Sequence, residues 1–308
     1  MPQQSAPERL EKIIRRDAPL AGFTTWGVGG TAKTLLSPAD RGELSISLGW
    51  LRSRGLDYYV VGGGSNSLVF DGEIDVPIIS TRLMDTVTFS REGGSITLTC
   101  GAGALLKDVF ALSVREGWSG LEFTAGIPGS VGGAIMGNAG TREGEISSAV
   151  RRIEMADRTG SLFTLDRGGI GWGYRRCSLA EDGIAVISSV VMELRESTPE
   201  AVAKSVRVTL ERRKSQPLSA RTAGCVFKNP EGDSAGRLLE EAGCKDLSVG
   251  GARVSEIHAN FIENYADCTA MDIARLAKLC RDKVYEKFGV ALSFEIKFVG
   301  WRGDFMEV

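Results

Sequence analysis

A chain of 308 residues with a net charge of −2 gives no electrostatic reason to expect nucleic acid as a partner. At 43% hydrophobic and 25% charged residues, it has the composition of a globular protein long enough for two or three lobes. No apolar run approaches bilayer-spanning length, and Glu8, Arg9, Glu11 and Lys12 deny the N-terminus the apolar centre of a signal peptide, so a cytoplasmic protein without a membrane partner is expected.

In chain order, Pro7 to Arg16 predicts a helix, Lys33 to Leu36 a strand, Gly42 to Arg54 a helix and Tyr58 to Val61 a strand, which is βαβ-like. After Pro77 the chain turns β-rich. Strands are expected at Thr86 to Ser90 and Ser95 to Cys100, then a helix at Leu105 to Glu116. Strands at Ala149 to Ala156 and Ser161 to Leu165 flank the hairpin signal Asp157-Arg158-Thr159-Gly160, and Ile184 to Leu194 is another strand. Pro199 opens a helix over Glu200 to Arg213 that Gln216-Pro217 closes. The last hundred residues give a helix at Ala235 to Ala242, a strand at Ala259 to Glu263, a helix at Met271 to Phe288 and a strand at Ala291 to Val299. These changes of texture divide the chain into residues 1–78, 79–197 and 198–308.

Two glycine-dense loops dominate the pattern: Val61-Gly62-Gly63-Gly64-Ser65-Asn66-Ser67 and Ala125-Gly126-Ile127-Pro128-Gly129-Ser130-Val131-Gly132-Gly133. Each offers consecutive backbone N–H groups with no side chain in the way, as a pyrophosphate cradle requires, and the first follows a strand. Two such loops point to a dinucleotide-sized ligand. Gly27-Val28-Gly29-Gly30-Thr31-Ala32 matches the relaxed Rossmann fingerprint, but a strand-like run follows it where a helix is required, so it is set aside. Gly101-Ala102-Gly103 has Leu106 where the third small residue should be and reads as a tight β-to-α turn. A flavin-binding module outside the Rossmann class stays open.

Six cysteines (Cys100, Cys177, Cys225, Cys244, Cys268 and Cys280) are scattered without a C-x-x-C pair, and His258 is the only histidine, so no metal site is expected. The cysteines read as reduced thiols, mostly small buried apolar residues. Arg212-Arg213-Lys214, the one dense basic cluster, reads as helix-end charge, with a small anion such as a phosphate as the alternative partner of one of them.

Several stretches together resemble a known family. They are Thr24-Thr25-Trp26-Gly27-Val28-Gly29-Gly30, Gly62 to Val69, Gly126 to Ala134 with Asn138-Ala139-Gly140, Gly173-Tyr174-Arg175, Gly224-Cys225-Val226-Phe227-Lys228-Asn229-Pro230 and His258-Ala259-Asn260-Phe261-Ile262. In identity and order they are similar to the UDP-N-acetylenolpyruvoylglucosamine reductases, from about Phe23 to Val299. The short stretch between Tyr174 and the Cys225 motif resembles the form of that family lacking an extra tyrosine-bearing substrate loop.

The resemblance implies an α+β fold: a two-lobed FAD-binding domain of the vanillyl-alcohol-oxidase type, with a C-terminal α+β substrate-binding domain. It implies non-covalent FAD, NADPH as hydride source, and a nucleotide-sugar enolpyruvyl ether reduced to UDP-N-acetylmuramate for peptidoglycan. The residues expected to hold FAD are Val61, Gly62, Gly63, Gly64, Ser65, Asn66 and Ser67, then Gly126, Ile127, Pro128, Gly129, Ser130, Gly133, Ala134, Asn138 and Gly140. Tyr174, Lys228, Asn229 and Asn260 are expected on the substrate.

Reducing an enol ether of pyruvate needs a hydride at one carbon, a proton at its neighbour and a clamp on the carboxylate that receives the electrons. Arg175 suits the clamp because its planar guanidinium grips a carboxylate bidentately. The family pattern Tyr-Arg-x-Ser departs here at Cys177, with Ser178 one place late. Cys225 stands where the family usually has the serine that donates the proton; a thiol, with an ordinary pKa of roughly 8.5, is a far stronger acid than an alcohol. Strand alternation gives Glu295 a solvated face, whereas the resemblance puts it in the active site as an acid assisting the enolate. His258 reads as structural. An FAD-dependent oxidase of a hydroxylated substrate and a non-catalytic nucleotide-binding module are the alternatives.

Overall fold

The computed structural model describes residues 6–180, 185–217 and 219–301. The chain forms two compact units that interleave along the sequence: residues 1–16, 34–63 and 76–213 in the first, residues 17–33, 64–75 and 214–308 in the second. This division cuts across the sequential one expected from texture, because long-range strand pairing groups distant segments.

The helices in chain order are α1 (Ala6–Ile13), α2 (Arg41–Ser53), α3 (Leu106–Glu116), α4 (Val131–Met136), α5 (Pro199–Arg212), α6 (Ala235–Glu241) and α7 (Ala270–Phe288). In the first unit, Tyr59–Val61 and Ile78–Ser80 pair in parallel, and Ile78 and Ile79 also pair in parallel with Leu35 and Leu36. Its larger sheet is antiparallel, in the order Leu162–Asp166, Val150–Asp157, Ala185–Glu196, Ser95–Gly101, Val87–Glu92. Ile96, Leu98 and Cys100 alternate inward along their strand and share a core with Leu44, Leu48 and Leu51 of α2, Leu106 and Val109 of α3, and Val131 and Ile135 of α4. Gly117 ends α3 in the left-handed conformation, while Thr198 caps α5 and Pro199 fills its first turn.

The second unit packs α7 against the antiparallel strands Ser248–Val249, Ala252–Val254 and Ile262–Asn264, with α6 packed on α7. Ile273, Ala277, Cys280 and Val284 make the buried stripe of α7, and the fully buried Trp26 joins that core, its indole N–H donating to the Ile262 carbonyl at 2.8 Å. The N-terminus of α7 is closed twice. Thr269 and Asp272 form a reciprocal capping box, and the Asp71 carboxylate accepts from the N–H groups of Ala270 and Met271 at 2.8 and 2.9 Å.

Four sequence expectations shift. The first helix stops at Ile13, because Ile14–Pro19 pairs as a strand with Thr31–Leu36 and this pairing overrides local propensity. The glycine-rich run after Ser130 winds into α4 instead of remaining loop. The strand expected at Ala259 begins only at Ile262, because Phe261 N–H closes a turn on the His258 carbonyl. The last strand is regular only over Lys297–Val299, paired in parallel with Ser67–Val69, whereas Phe294 bridges Phe227 antiparallel, and the change of partner interrupts the ladder. The strand expected from Ile184 is observed as Ala185–Glu196, Ile184 itself lying outside the described residues.

Replacing Asp71 by alanine removes both acceptors at the start of α7 and is expected to destabilise the protein by about 1 kcal/mol. Urea denaturation measures this as a lowered midpoint, and an unchanged midpoint would remove Asp71 from the cap.

Candidate functional site

In the first unit the two glycine loops lie against each other. A Cβ on Gly62 would stand 2.5 Å from Ser130 Oγ, and one on Gly63 would stand 2.7 Å from Gly129 Cα. A side chain at Gly63 would have to move backbone, and one at Gly62 would have to displace the Ser130 hydroxyl. The Ser130 hydroxyl, buried to 1% exposure, accepts from the N–H of Gly63 at 3.2 Å and from that of Gly133 at 3.3 Å, so one oxygen ties the first loop to the start of α4. Sequence reading passed over Arg82, whose guanidinium donates to the carbonyls of Gly62 at 3.3 Å and Gly63 at 3.5 Å. Its only sequence signal is an arginine just past the strand Ile78–Ser80. Arg212 and Arg213 serve this unit too: Arg212 pairs with Glu143 at 2.6 Å, and Arg213 donates to the Ala125 carbonyl at 2.7 Å at the start of the second loop.

Arg175 sits at the tip of a tight hairpin in the same unit. Trp172-Gly173 pairs with Arg176-Cys177, leaving Tyr174 and Arg175 as the turn. Arg175 has φ +52°, a left-handed conformation that costs a non-glycine residue roughly 1 kcal/mol or more and is held only where its surroundings insist. Its guanidinium donates to the Gly140 carbonyl at 3.0 Å and lies 5.5 Å from the centre of the exposed Tyr174 ring. Arg175 is half-buried, whereas neighbouring Arg176 is exposed. Below the turn Cys177 is fully buried in the core, and the displaced Ser178 accepts from the Gly171 N–H at 3.0 Å to close the base of the hairpin. Asn138, at 1% exposure, donates to the Gly173 carbonyl at 3.0 Å and accepts from the Ser147 N–H at 3.3 Å.

Cys225 and Glu295 belong to the second unit, where adjacent backbone carries them. Glu295 N–H donates to the Val226 carbonyl at 2.8 Å, and Lys228 N–H donates to that of Ser293 at 2.9 Å. On the other side Cys225 bridges Phe261. Asn260 clamps this segment: its side chain accepts from Phe227 N–H at 2.9 Å and donates to the Phe227 carbonyl at 2.8 Å, while its own carbonyl accepts from Val226 N–H. The His258 Nδ1 in turn accepts from Asn260 N–H at 3.2 Å. Asn229 accepts from Ala235 N–H at the start of α6, and Lys228 is half-buried. The first glycine loop continues into this unit. Gly64 has φ +70° and a Cβ there would overlap the Phe23 carbonyl, while Asn66 donates to the Glu295 carbonyl at 3.0 Å.

None of the six cysteines is disulfide-bonded. Burial pushes the Cys100 and Cys268 thiols up to about 12, so neither is an acid of use near neutrality, whereas Cys225 is only half-buried. Among the described residues no group of His, Cys, Asp and Glu could hold a metal ion, and no helix is long and apolar enough to cross a membrane.

The family model described as the C-terminal domain of UDP-N-acetylenolpyruvoylglucosamine reductase matches residues 216–299, and one described as an FAD binding domain matches residues 32–166. A UDP-N-acetylenolpyruvoylglucosamine reductase of Moorella thermoacetica is 41% identical over 292 residues, covering 94% of this chain and 95% of the relative. The chain belongs to the UDP-N-acetylenolpyruvoylglucosamine reductase family. A member from an Anaeromyxobacter species is 39% identical over 95% of this chain and 90% of its own length. The crystal structure of the family member from Thermus caldophilus matches with a TM-score of 0.78 at 35% identity, covering 93% of this chain and 98% of that one. The α+β fold with an FAD-binding domain follows from these matches, and the protein is an oxidoreductase of this family.

The residues fit a flavin nucleotide. Thr25, whose N–H donates to the Gly64 carbonyl, has a buried hydroxyl with no partner, the kind of group that a bound phosphate or ribose satisfies. The sequence motif Thr24-Thr25-Trp26 held this residue in view without assigning it.

Burial pushes the His258 imidazole below its usual 6.5, and its Nδ1 must be unprotonated to accept from Asn260. Between the lowered pKa and 6.5 the unfolded chain binds more protons, so stability present above 6.5 is lost as the pH falls through the folded value. As the only histidine, it makes the test clean: the fall in urea midpoint from pH 7.5 to 5.5 should be largely absent in His258→Asn, and an equal fall in both proteins would refute this assignment.

Proposed function

We propose that this protein reduces UDP-N-acetylglucosamine enolpyruvate to UDP-N-acetylmuramate in the cytoplasm, using non-covalently bound FAD and NADPH, as a step of peptidoglycan precursor synthesis. The observation that carries this proposal is Arg175, a half-buried arginine held in a left-handed conformation at a turn, in a chain alignable with family members over nearly its whole length. Bound flavin supplies the hydride that no side chain can carry.

The two glycine loops, Val61 to Ser67 and Gly126 to Gly133, hold the flavin nucleotide through bare backbone, with Ser130 and Arg82 fixing their conformation. Arg175 grips the pyruvyl carboxylate and stabilises the negative charge that grows on it as hydride adds to the neighbouring vinyl group. Cys225 then gives its thiol proton to the carbon next to that carboxylate, and Glu295 supports the enolate by hydrogen bonding. Lys228 supplies charge to the nucleotide phosphates, and Tyr174 offers an aromatic face to the substrate. Asn229 and Asn260 shape the substrate-binding segment through the backbone bonds they make.

The purified protein is expected to be yellow and to consume NADPH only when the enolpyruvyl nucleotide is present. In Cys225→Ala, NADPH should still bleach the flavin, while reoxidation by the nucleotide slows by about 10²–10⁴-fold. Cys225→Ser, which restores the residue usual in the family, should keep turnover. Stopped-flow absorbance follows both half-reactions, and wild-type reoxidation in Cys225→Ala would remove Cys225 from the mechanism.

A further inference from the structure

We infer that Asn138 is the positioning residue for Arg175, and that it acts on the substrate clamp through the backbone of the Tyr174–Arg175 hairpin rather than on the flavin. The inference rests on the role proposed above for Arg175.

Both of the side-chain bonds that the structure gives Asn138 are to protein backbone. Its amide nitrogen donates to the Gly173 carbonyl at 3.0 Å, and its amide oxygen accepts from Ser147 N–H at 3.3 Å. At 1% exposure it has almost no surface to offer a ligand. It is also one of the few non-glycine residues with positive φ (+39°), a conformation that asparagine tolerates better than other side chains do. Gly173 is the last strand residue before the Tyr174–Arg175 turn. The Arg175 guanidinium returns to the Gly140 carbonyl, two residues beyond Asn138. The segment 138–140 therefore grips the hairpin at its entrance, by a side chain, and at its tip, by a carbonyl.

Behind this grip stands α4. Asn138 N–H donates to the Ile135 carbonyl at 3.0 Å and Ala139 N–H to that of Ala134 at 2.8 Å, so the segment is the direct continuation of the helix. The other end of α4 begins at Ser130, whose hydroxyl joins the glycine loops. A six-residue helix thus connects the loop-locking serine to the arginine's support. Without the Asn138 amide, the turn keeps its sequence but loses the bond that sets its entry, and the strained backbone of Arg175 is free to relax. A clamp displaced by about 1 Å can cost on the order of a hundredfold in rate.

Asn138→Gly tests this, because glycine retains the left-handed backbone and removes only the amide. Reoxidation of the reduced flavin by UDP-N-acetylglucosamine enolpyruvate should slow by about tenfold to a hundredfold. Reduction by NADPH should be unchanged, and FAD affinity, read by fluorescence titration of the apoprotein, should stay within about twofold of wild type. In an Arg175→Ala background the same replacement should cause no further loss, since its effect passes through the guanidinium. Asn138→Asp, which keeps the acceptor for Ser147 but loses the donor to Gly173, provides the same comparison if the glycine variant does not fold. Weakened FAD binding, losses that multiply across the double variant, or unchanged reoxidation with intact Arg175 would each overturn the inference. Wild-type reoxidation in Arg175→Ala alone would instead sink the role of the arginine itself.

Discussion

The close approach of the two glycine loops in the first unit is the constraint on which the other features of that unit depend. Gly62 and Gly63 meet Gly129 and Ser130 at distances that leave no room for a Cβ, and the Ser130 hydroxyl draws together N–H groups from both loops. The chain secures this contact from the outside with cationic side chains aimed at carbonyls: Arg82 at Gly62 and Gly63, and Arg213 at Ala125. With the carbonyls held by arginines, the loops present the backbone polarity that a nucleotide phosphate needs. The helix that starts at Ser130 then carries that fixed geometry to the Arg175 hairpin.

Much of this was legible in the sequence, for identifiable reasons. Gly62 and Gly63 could be singled out because consecutive glycines at a strand end have few explanations other than close approach. The Rossmann-like run at Gly27 could be dismissed because a strand, Thr31–Leu36, follows it. Arg175 could be separated from Arg176 by motif register, and burial separates them in the same way. Arg82 was invisible because its partners are main-chain carbonyls reached from twenty residues away, and no spacing rule encodes such a bond. Helix α4 was missed because its glycines argue against helix locally, while the Ser130 cap and the buried contacts of Val131 and Ile135 decide for it. The interleaved units could not be read from texture, since pairing such as that of Lys297–Val299 with Ser67–Val69 joins residues more than two hundred positions apart.

Amides are the recurring device. Asn138, Asn260, Asn229 and Asn66 were all expected on cofactor or substrate, and each has an amide atom bonded to main chain: at Gly173, Phe227, Ala235 and Glu295 respectively. An asparagine carries a donor and an acceptor on one short rigid arm, so it can bracket a peptide unit that has left regular sheet or helix. Segments that hold reactive groups are often irregular in this way, because a regular ladder would fix side-chain direction by alternation alone. The asparagines replace the missing ladder bonds and leave the backbone aimed as it must be. Motif reading finds such residues beside the chemistry and cannot by itself tell a support from a contact.

Cys225 is the one cysteine of the six that is not buried. Cys100 and Cys268 lie where burial makes the thiolate too costly, and Cys177 is packed into the first unit's core. Cys225 follows Gly224, whose φ of +77° turns the chain just before it, and its neighbours Val226 and Phe227 are gripped by Asn260. It is thus half-exposed on a backbone that cannot drift. A thiol is by nature a stronger acid than an alcohol, so in the role proposed for Cys225 the surrounding groups have less to do to acidify it. Direction is fixed by three hydrogen bonds that the buried Asn260 makes with Val226 and Phe227, two accepted and one donated.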